Sequence, residues 1–298
     1  MKKKIVLMLT VIMLIGLAGC GKNQINIKET GTSDNNEQMV QNIYENKRTE
    51  VKQKISEIKE RLPETSAEDK GTCGSKAKWY YKDNTLIIYG EGVITEDTWH
   101  KSNIVINTVV IDSGITKLGN NMFSGLGSEV GKNIENFYIA DGLEEIGSST
   151  FVNCDCLSEI VLPPSLYFID GYTFASCDSL KNVYMTDGVE KIGDSAFTGW
   201  KSLDSIFIPK TVLAIGNGVF TGCNNLSDIQ ISKDNRIFSE KNNCIINNDT
   251  KTLIYAINKD FSIPDDILCI AEDAIYGCEI DSLVIPEGVK EIEERAFT

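Results

Sequence analysis

The side chains in this sequence that could carry out chemistry are few. The 298 residues include one His, His100, and nine Cys. A single imidazole excludes metal sites that need several His ligands. Asp and Glu are spread over predicted turns, and no pair recurs at a spacing that predicts acid–base catalysis. We therefore expect no catalytic site and no cofactor, and we assign His100 a structural role in a cap.

Two short motifs could hold a phosphate or a metal ion, and neither is convincing. Residues 127–133, GSEVGKN, are similar to a phosphate-binding loop, but the first Gly is one residue too close and Asn133 replaces the required Ser or Thr. Cys154-Asp155-Cys156 could supply half of a metal site, yet no second Cys or His pair follows at ligand spacing. We predict no metal site.

The charge of the chain excludes one class of partner. There are 29 Lys and Arg against 43 Asp and Glu, a formal net charge of −14. The charges in the first 19 residues are the basic Lys2, Lys3 and Lys4, so the remainder is more acidic still. Such a surface repels phosphate backbones, and we expect no nucleic-acid binding.

The first residues have the pattern of an export signal. The basic start precedes a mostly apolar run over 5–18, which is too short to span a bilayer. The run ends Leu17-Ala18-Gly19-Cys20, which resembles the cleavage box of bacterial lipoproteins. That resemblance implies a signal peptide over 1–19, diacylglycerol on Cys20, and an extracytoplasmic protein anchored by lipid to the bacterial cell membrane. An ordinary secretory signal is the alternative.

A tether and an amphipathic helix are predicted to follow. Residues 20–36 are polar and predict a flexible tether. Within 37–62, apolar Val51, Ile55, Ile58 and Leu62 recur at helical spacing, and Pro63 ends the pattern. Two heptads are too few to predict a coiled coil, so packing on its own domain and a stalk both remain possible.

From residue 109 the sequence repeats itself with a period near 23. Seven units align on an apolar anchor at 118, 146, 169, 192, 215, 270 and 292. An apolar residue, usually Phe, follows each anchor by five positions. Apolar residues also lie three, seven and nine positions before it. Such units cannot bury their apolar rows alone, so they predict a solenoid in which each coil stacks on the next.

The period-2 pairs predict a parallel β-sheet along one face of the solenoid, with short helical or irregular segments on the others. Open solenoid ends need caps, and a hairpin around residues 82–85 predicts an N-terminal β cap over 71–108. The solenoid is assigned to 109–298. Its 55-residue gap predicts a hairpin insertion at about 232–258, between the runs 244–246 and 253–255.

Four cysteines share one column of the repeat. Cys154, Cys177, Cys223 and Cys278 each lie eight residues after an anchor. Small buried thiols that fill the column are one interpretation. A Cys154–Cys177 disulfide between adjacent coils is the other, since export permits it.

The repeating unit resembles the BspA-type leucine-rich repeat. The unit is a strand followed by Pro, Val-x-x-Ile-Gly, Phe, Cys and Leu, and its best copies are 160–180 and 206–226. Residues 71–92 resemble the segment that often precedes such repeats. The resemblance implies a leucine-rich-repeat solenoid on a bacterial surface, with adhesion or protein recognition as the commonest role. Trp200 in place of a Cys departs from the pattern.

We predict a non-enzymatic protein that binds another macromolecule through its sheet face. A glycan ligand and a purely structural envelope role are the alternatives. Side chains between the inward-facing strand residues must point outward. Four consecutive ones are apolar or aromatic, and we call them the stripe: Tyr138, Val161, Tyr184 and Phe207. The stripe is predicted to be exposed and to bind the ligand, unless the helix at 37–62 covers it.

The last expectation concerns the C-terminal end. The sequence printed stops at Thr298, before the Gly-Cys-x-x-Leu closure that 222–226 displays. We expect the apolar columns there to be exposed unless a further segment or a partner covers them.

Overall fold

The computed structural model describes residues 33–102, 104–125, 129–257, 261–277 and 282–297. The predicted signal peptide and Cys20 lie outside the described residues, as does Cys278. A long helix comes first, α1 (Ser33–Arg61), and it begins four residues before the predicted start at 37. The last four residues of the predicted tether, 33–36, therefore belong to α1, and 20–32 lie outside the described residues. Pro63 follows the end of the helix, as the sequence predicts.

The remaining elements are mostly short strands. In chain order they are β1 (Asp69–Thr72), β2 (Lys76–Lys82), β3 (Thr85–Ile94), β4 (Thr108–Ile111), β5 (Ile115–Leu118), a short helix α2 (Glu129–Asn133), β6 (Asn136–Ile139), β7 (Glu145–Ile146), β8 (Glu159–Val161), β9 (Phe168–Ile169), β10 (Asn182–Tyr184), β11 (Lys191–Ile192), β12 (Ser205–Ile208), β13 (Ala214–Ile215), β14 (Asp228–Ile231), β15 (Phe238–Lys241), β16 (Cys244–Asn247), β17 (Thr252–Ala256), β18 (Cys269–Ile270) and β19 (Glu291–Ile292). Two 3-10 turns lie at Glu64–Ser66 and Thr98–Ser102.

The strands form two parallel ladders, which confirms the predicted solenoid. In one ladder β3 pairs with β4 and β4 with β6, and the row continues through the pairs β8–β10 and β12–β14. In the other, β3, β5, β7, β9, β11 and β13 pair in succession. Since neighbouring strands belong to successive coils, each coil from β4 to β13 contributes one strand to each ladder. We call the outer surface of the first ladder the sheet face.

The N-terminal cap is the predicted hairpin. Strands β2 and β3 pair antiparallel, and Asp83 and Asn84 turn between them with positive φ. Strand β1 adds to the outer edge of β2. Because the ten-residue β3 pairs with β4 through its first half and with β5 through its second, it starts both ladders and covers the open edge of the first coil.

The core is a set of columns rather than a compact cluster. One column consists of stacked aromatic rings, with neighbouring ring centroids 5.1–6.0 Å apart: Trp99, Phe123, Phe151, Phe174, Phe197 and Phe220. All six side chains are fully buried. His100 lies beside Trp99 in a 3-10 turn and contacts Asp97 through Nδ1 at 2.6 Å. That position is the cap role that the sequence suggested.

The long gap in the repeat holds three antiparallel strands rather than two. The predicted pairing of β16 with β17 is present, and β15 adds a second hairpin through a turn at Asn242 and Asn243. The solenoid then resumes, because β17 pairs parallel with β18 and β18 with β19. At the last described coil, apolar side chains that should occupy core columns are exposed: Ile285, Ile292 and Phe297.

Candidate binding face

Helix α1 lies on the sheet face, and its seat is defined by one row of side chains. Tyr44, Val51, Ile55, Ile58 and Leu62 are all buried against outward-facing residues of the sheet. These partners come from six strands between the cap and the middle of the solenoid: Tyr80, Ile87, Val110, Tyr138, Val161 and Tyr184. The helix is therefore packed on its own domain, which settles the choice that its sequence left open.

The predicted exposure of the stripe is consequently wrong for two of its members. Val161 is 4% exposed and Tyr184 is 7% exposed, because α1 covers them. Tyr138 is partly buried in the same cluster, and Phe207 is partly buried at the edge of the covered region. Burial raises the pKa of the Tyr138 and Tyr184 hydroxyls, as expected for phenols removed from water. These side chains bind α1 in this structure.

Polar contacts fix the helix in register with the sheet. The buried Arg48 donates to the Ile139 carbonyl at 3.0 Å and to the Asp141 carboxylate at 2.6 Å. Tyr44 donates its hydroxyl proton to the Leu162 carbonyl at 2.8 Å. Carbonyls at strand ends lack ladder partners, so these donors satisfy groups that burial under α1 would otherwise leave unpaired.

Ion pairs repeat along the same seat. Lys47 pairs with Glu159 at 2.9 Å, and Lys52 reaches Asp141 at 2.8 Å. Near the cap, Lys59 lies 2.5 Å from Asp112. Basic side chains of the helix thus meet carboxylates of the sheet, and the charges of the two surfaces are complementary.

Beside the N-terminal end of α1 the sheet face is open. A cavity of about 430 Å³ lies between Glu37 of the helix and the β15 strand, with β12 and β14 as its floor. We call it the end groove and define it by Glu37, Phe207, Asp228, Gln230 and Glu240, which all line it. A second cavity of about 450 Å³ lies on the other side of the helix end and shares Phe207. Phe207 is thus the stripe residue that borders open space.

The charged groups of the end groove are three carboxylates, those of Glu37, Asp228 and Glu240, and the ammonium of Lys233. Asp228 accepts a hydrogen bond from the Gln230 amide at 3.1 Å. Glu240 accepts one from the Asn243 N–H at 2.7 Å, and Glu37 accepts one from the Lys233 N–H at 2.5 Å. Three carboxylates around an aromatic ring form a negatively charged recess in which an apolar group could contact Phe207.

The cysteine column contains free thiols that act as hydrogen-bond donors. The thiols of Cys154, Cys177 and Cys223 donate to the carbonyls of Phe123, Phe151 and Phe197, each in the preceding coil, at 2.9–3.2 Å. The structure thus agrees with the buried-thiol interpretation and not with a Cys154–Cys177 disulfide.

In one coil Trp200 replaces the Cys and makes the hydrogen bond that the Cys thiol makes in other coils. Its indole N–H donates to the Phe174 carbonyl, the equivalent acceptor in the preceding coil. The departure from the repeat therefore conserves the hydrogen bond while changing the residue. It lies in the buried core and not on the sheet face.

A metal site and a membrane-spanning helix are two further kinds of site, and neither is present among the described residues. Within them, no three His, Cys, Asp or Glu side chains are grouped so as to hold a metal ion. Neither α1 nor α2 combines the length and apolar character needed to cross a bilayer. The motif that is similar to a phosphate-binding loop forms the short helix α2 over its residues 129–133, and its residues 127–128 are not among the described residues.

Sequence reasoning missed two features of this face. Arg48 is charged and so is not part of the apolar pattern, but it occupies the same row as Tyr44 and Val51, four residues after one and three before the other. That spacing is the signal that could have identified it as buried. Asp228 follows Glu159 by three repeats of 23, which places both in one column at the start of a strand.

Taken together, the parallel ladders, the stacked apolar columns and the repeat length define a leucine-rich-repeat solenoid. Residues 129–249 and 254–298 match the BspA type leucine-rich repeat region in six copies. The chain belongs to this BspA-type family. No curated protein matches the sequence.

Solved bacterial structures have the same fold. A leucine-rich repeat protein from Eubacterium ventriosum is 22% identical with a TM-score of 0.66, over 77% of this chain and 63% of that one. The pneumococcal vaccine antigen PcpA is 17% identical with a TM-score of 0.57, over 76% and 66%. A leucine-rich cell surface protein from Faecalibacterium prausnitzii is 21% identical with a TM-score of 0.55, over 76% and 73%. This chain thus spans less than two thirds of the first two proteins.

Proposed function

We propose that this chain is a non-enzymatic recognition protein of the bacterial surface that binds another macromolecule through the end groove. The observation that carries the proposal is the position of Phe207: it belongs to the aromatic row of the sheet face, yet it stays only half-buried and borders open cavities beside the N-terminal turns of α1. A half-buried aromatic ring beside a cavity of several hundred Å³ is a typical anchor for a ligand.

Surface anchoring is the second part of the proposal and rests on the sequence alone. Lipidation of Cys20 would hold the protein extracytoplasmically at the cell membrane, because two acyl chains suffice for stable anchoring. The Cys20→Ala variant should then leave the membrane fraction or remain uncleaved. Retention of a cleaved Cys20→Ala protein in the membrane would contradict the anchor. Cys156→Ala, which removes an exposed thiol elsewhere, is the matched control.

The type of ligand can be tested with treated cell surfaces. Labelled full chain is added to intact cells, to cells treated with protease and to cells treated with periodate. We expect protease to abolish binding and periodate to leave it, which identifies a protein ligand. Phe207→Ala should reduce binding about tenfold, as for a central aromatic anchor. Binding that periodate abolishes indicates a glycan, and binding that Phe207→Ala leaves unchanged contradicts the end groove.

A further inference from the structure

We propose that the end groove takes a basic, amphipathic segment of a partner protein, bound in the way that the sheet face already binds α1. The inference rests on the proposed function, because it names the partner chemistry of the same site. It adds what the partner must present: an apolar side chain for Phe207, and Lys or Arg for the carboxylates around it.

Helix α1 shows what this face recognises. Its apolar row packs on the outward-facing aromatic and aliphatic residues of the strands. Its basic residues pair with acids at the strand ends, and the Lys47 ammonium lies 2.9 Å from Glu159 and 5.6 Å from the Tyr184 ring centroid. An ammonium that contacts both a carboxylate and an aromatic face combines an ion pair with a cation–π interaction.

A carboxylate and an aromatic ring in neighbouring coils also occur together in the end groove, beside the N-terminal end of α1. Strand register aligns Glu159 with Asn182 and Ser205 with Asp228, and the 23-residue repeat puts all four in one column. Tyr184 lies two residues after Asn182, and Phe207 lies two residues after Ser205, so the two rings share a second column. The groove therefore offers Asp228 and Phe207 in neighbouring coils, as the seat of α1 offers Glu159 and Tyr184, but with the carboxylate one coil after the ring rather than one coil before it.

The charges of the groove select the sign of the partner. Among the described residues, Asp228 and Glu240 accept hydrogen bonds but take part in no ion pair. The residues that line the groove include one cation, Lys233, and three carboxylates, those of Glu37, Asp228 and Glu240. A Lys or Arg brought by a partner would neutralise this excess, whereas a neutral glycan would leave it uncompensated.

The probe for a direct test is a labelled synthetic peptide with the sequence of residues 41–62, the part of α1 that the face demonstrably fits. Its binding to the full chain is followed by fluorescence anisotropy at low and high salt. We expect Phe207→Ala and Asp228→Asn each to weaken binding about tenfold, and salt to weaken it further. A peptide with Lys47, Arg48, Lys52 and Lys59 replaced by Glu should not bind. Glu91→Gln, at an exposed carboxylate of the cap, is the control protein.

Each contrary result has a distinct meaning. Equal binding of the Glu-substituted peptide overturns the charge argument. Loss of binding in Glu159→Gln but not in Asp228→Asn shows that the peptide replaces α1 on its own seat, which overturns the groove assignment. Direct binding of a labelled neutral oligosaccharide that Phe207→Ala abolishes, with no binding of the peptide, assigns the groove to a glycan.

Failure of this inference can be separated from failure of the proposed function. If the peptide does not bind, but attachment to cells remains sensitive to protease and to Phe207→Ala, the groove is a binding site with a different partner chemistry. If attachment is insensitive to Phe207→Ala as well, the site itself is wrong. Circular dichroism of each variant checks that the solenoid is folded, and Phe207→Leu, which keeps the apolar contact, should bind more tightly than Phe207→Ala.

Discussion

Arg48 of α1 and Asp141 beyond β6 form an ion pair across the helix–sheet interface, with Nη2 and Oδ1 2.6 Å apart. The Arg48 side chain is 4% exposed, whereas that of Asp141 is 45% exposed, so the pair joins a buried cation to a solvated anion. The same guanidinium donates to the Ile139 carbonyl. This arrangement holds the middle of α1 on the sheet face and so determines which part of that face remains open.

Removal of Arg48 should therefore loosen the helix. Arg48→Ala removes the donor that the Ile139 carbonyl and the Asp141 carboxylate share, and it leaves a gap under α1. We expect a loss of about 2 kcal/mol in the free energy of unfolding. Lys54→Ala is the control, since Lys54 pairs with Glu57 on the exposed side of the same helix, and it should cost less than about 0.5 kcal/mol. Urea denaturation of both variants measures the difference, and equal losses would contradict the burial of Arg48.

The same interface should weaken in acid. Burial raises the pKa of Asp141, but hydrogen bonds from Lys52 and Arg48 outweigh it and hold the pKa below its ordinary value of 3.8. A depressed carboxyl pKa stabilises the folded state above the ordinary value, and this contribution is lost as the pH falls through the folded pKa. The stability difference between wild type and Asp141→Asn should thus shrink below about pH 4. A difference that is constant from pH 3 to 6 would exclude this coupling.

Two neighbouring members of the stripe should respond differently to truncation. Tyr184→Ser removes a ring that α1 buries and should cost about 3 kcal/mol. Phe207→Ser removes a ring that borders the groove and should cost roughly half as much, in proportion to its smaller burial. Thermal and urea unfolding of the two variants provide the comparison. A larger loss for Phe207→Ser would mean that the groove residue is part of the core.

The buried thiols should resist alkylation. Burial raises the pKa of Cys223 to about 12, and the neighbouring Cys177 thiol together with burial raises the pKa of Cys154 well above its usual value. The thiolate is the reactive form, so at pH 8 iodoacetamide should modify the exposed Cys156 at least ~100-fold faster than either. Mass spectrometry resolves the sites, and all should react in urea. Fast modification of Cys154 in the native protein would show that the column opens.

The solenoid was predictable because its signal is repeated. An apolar residue at the same five positions of seven units fixes strands, columns and coil length together, and the Phe column is stacked where the period placed it. The N-terminal cap was predictable for a related reason. Lys82 to Thr85 separate two runs of strand-forming residues, and the turn forms between them.

The cover on the sheet face was not predictable to the same degree. The stripe and the helix each have an apolar face, but nothing in either segment specifies that the two meet. That choice depends on long-range contacts such as Tyr44 with Leu162, which are 118 residues apart. The sequence does not predict the additional strand β15, because Phe238–Lys241 has only one strongly apolar residue. The end groove follows from both features, since α1 and β15 are its walls.

Site-specific photo-crosslinking tests the central claim most directly: the sheet face is covered by α1 at Tyr184 and free to bind at Phe207. A photoreactive phenylalanine analogue is placed at 184 in one full-length protein and at 207 in another, and both are illuminated on a cell surface that the wild type binds. The account predicts an internal crosslink from 184 to α1, near Tyr44 and Lys47, and a crosslink from 207 to a partner protein. A partner crosslinked from 184, with no internal crosslink to α1, would contradict it.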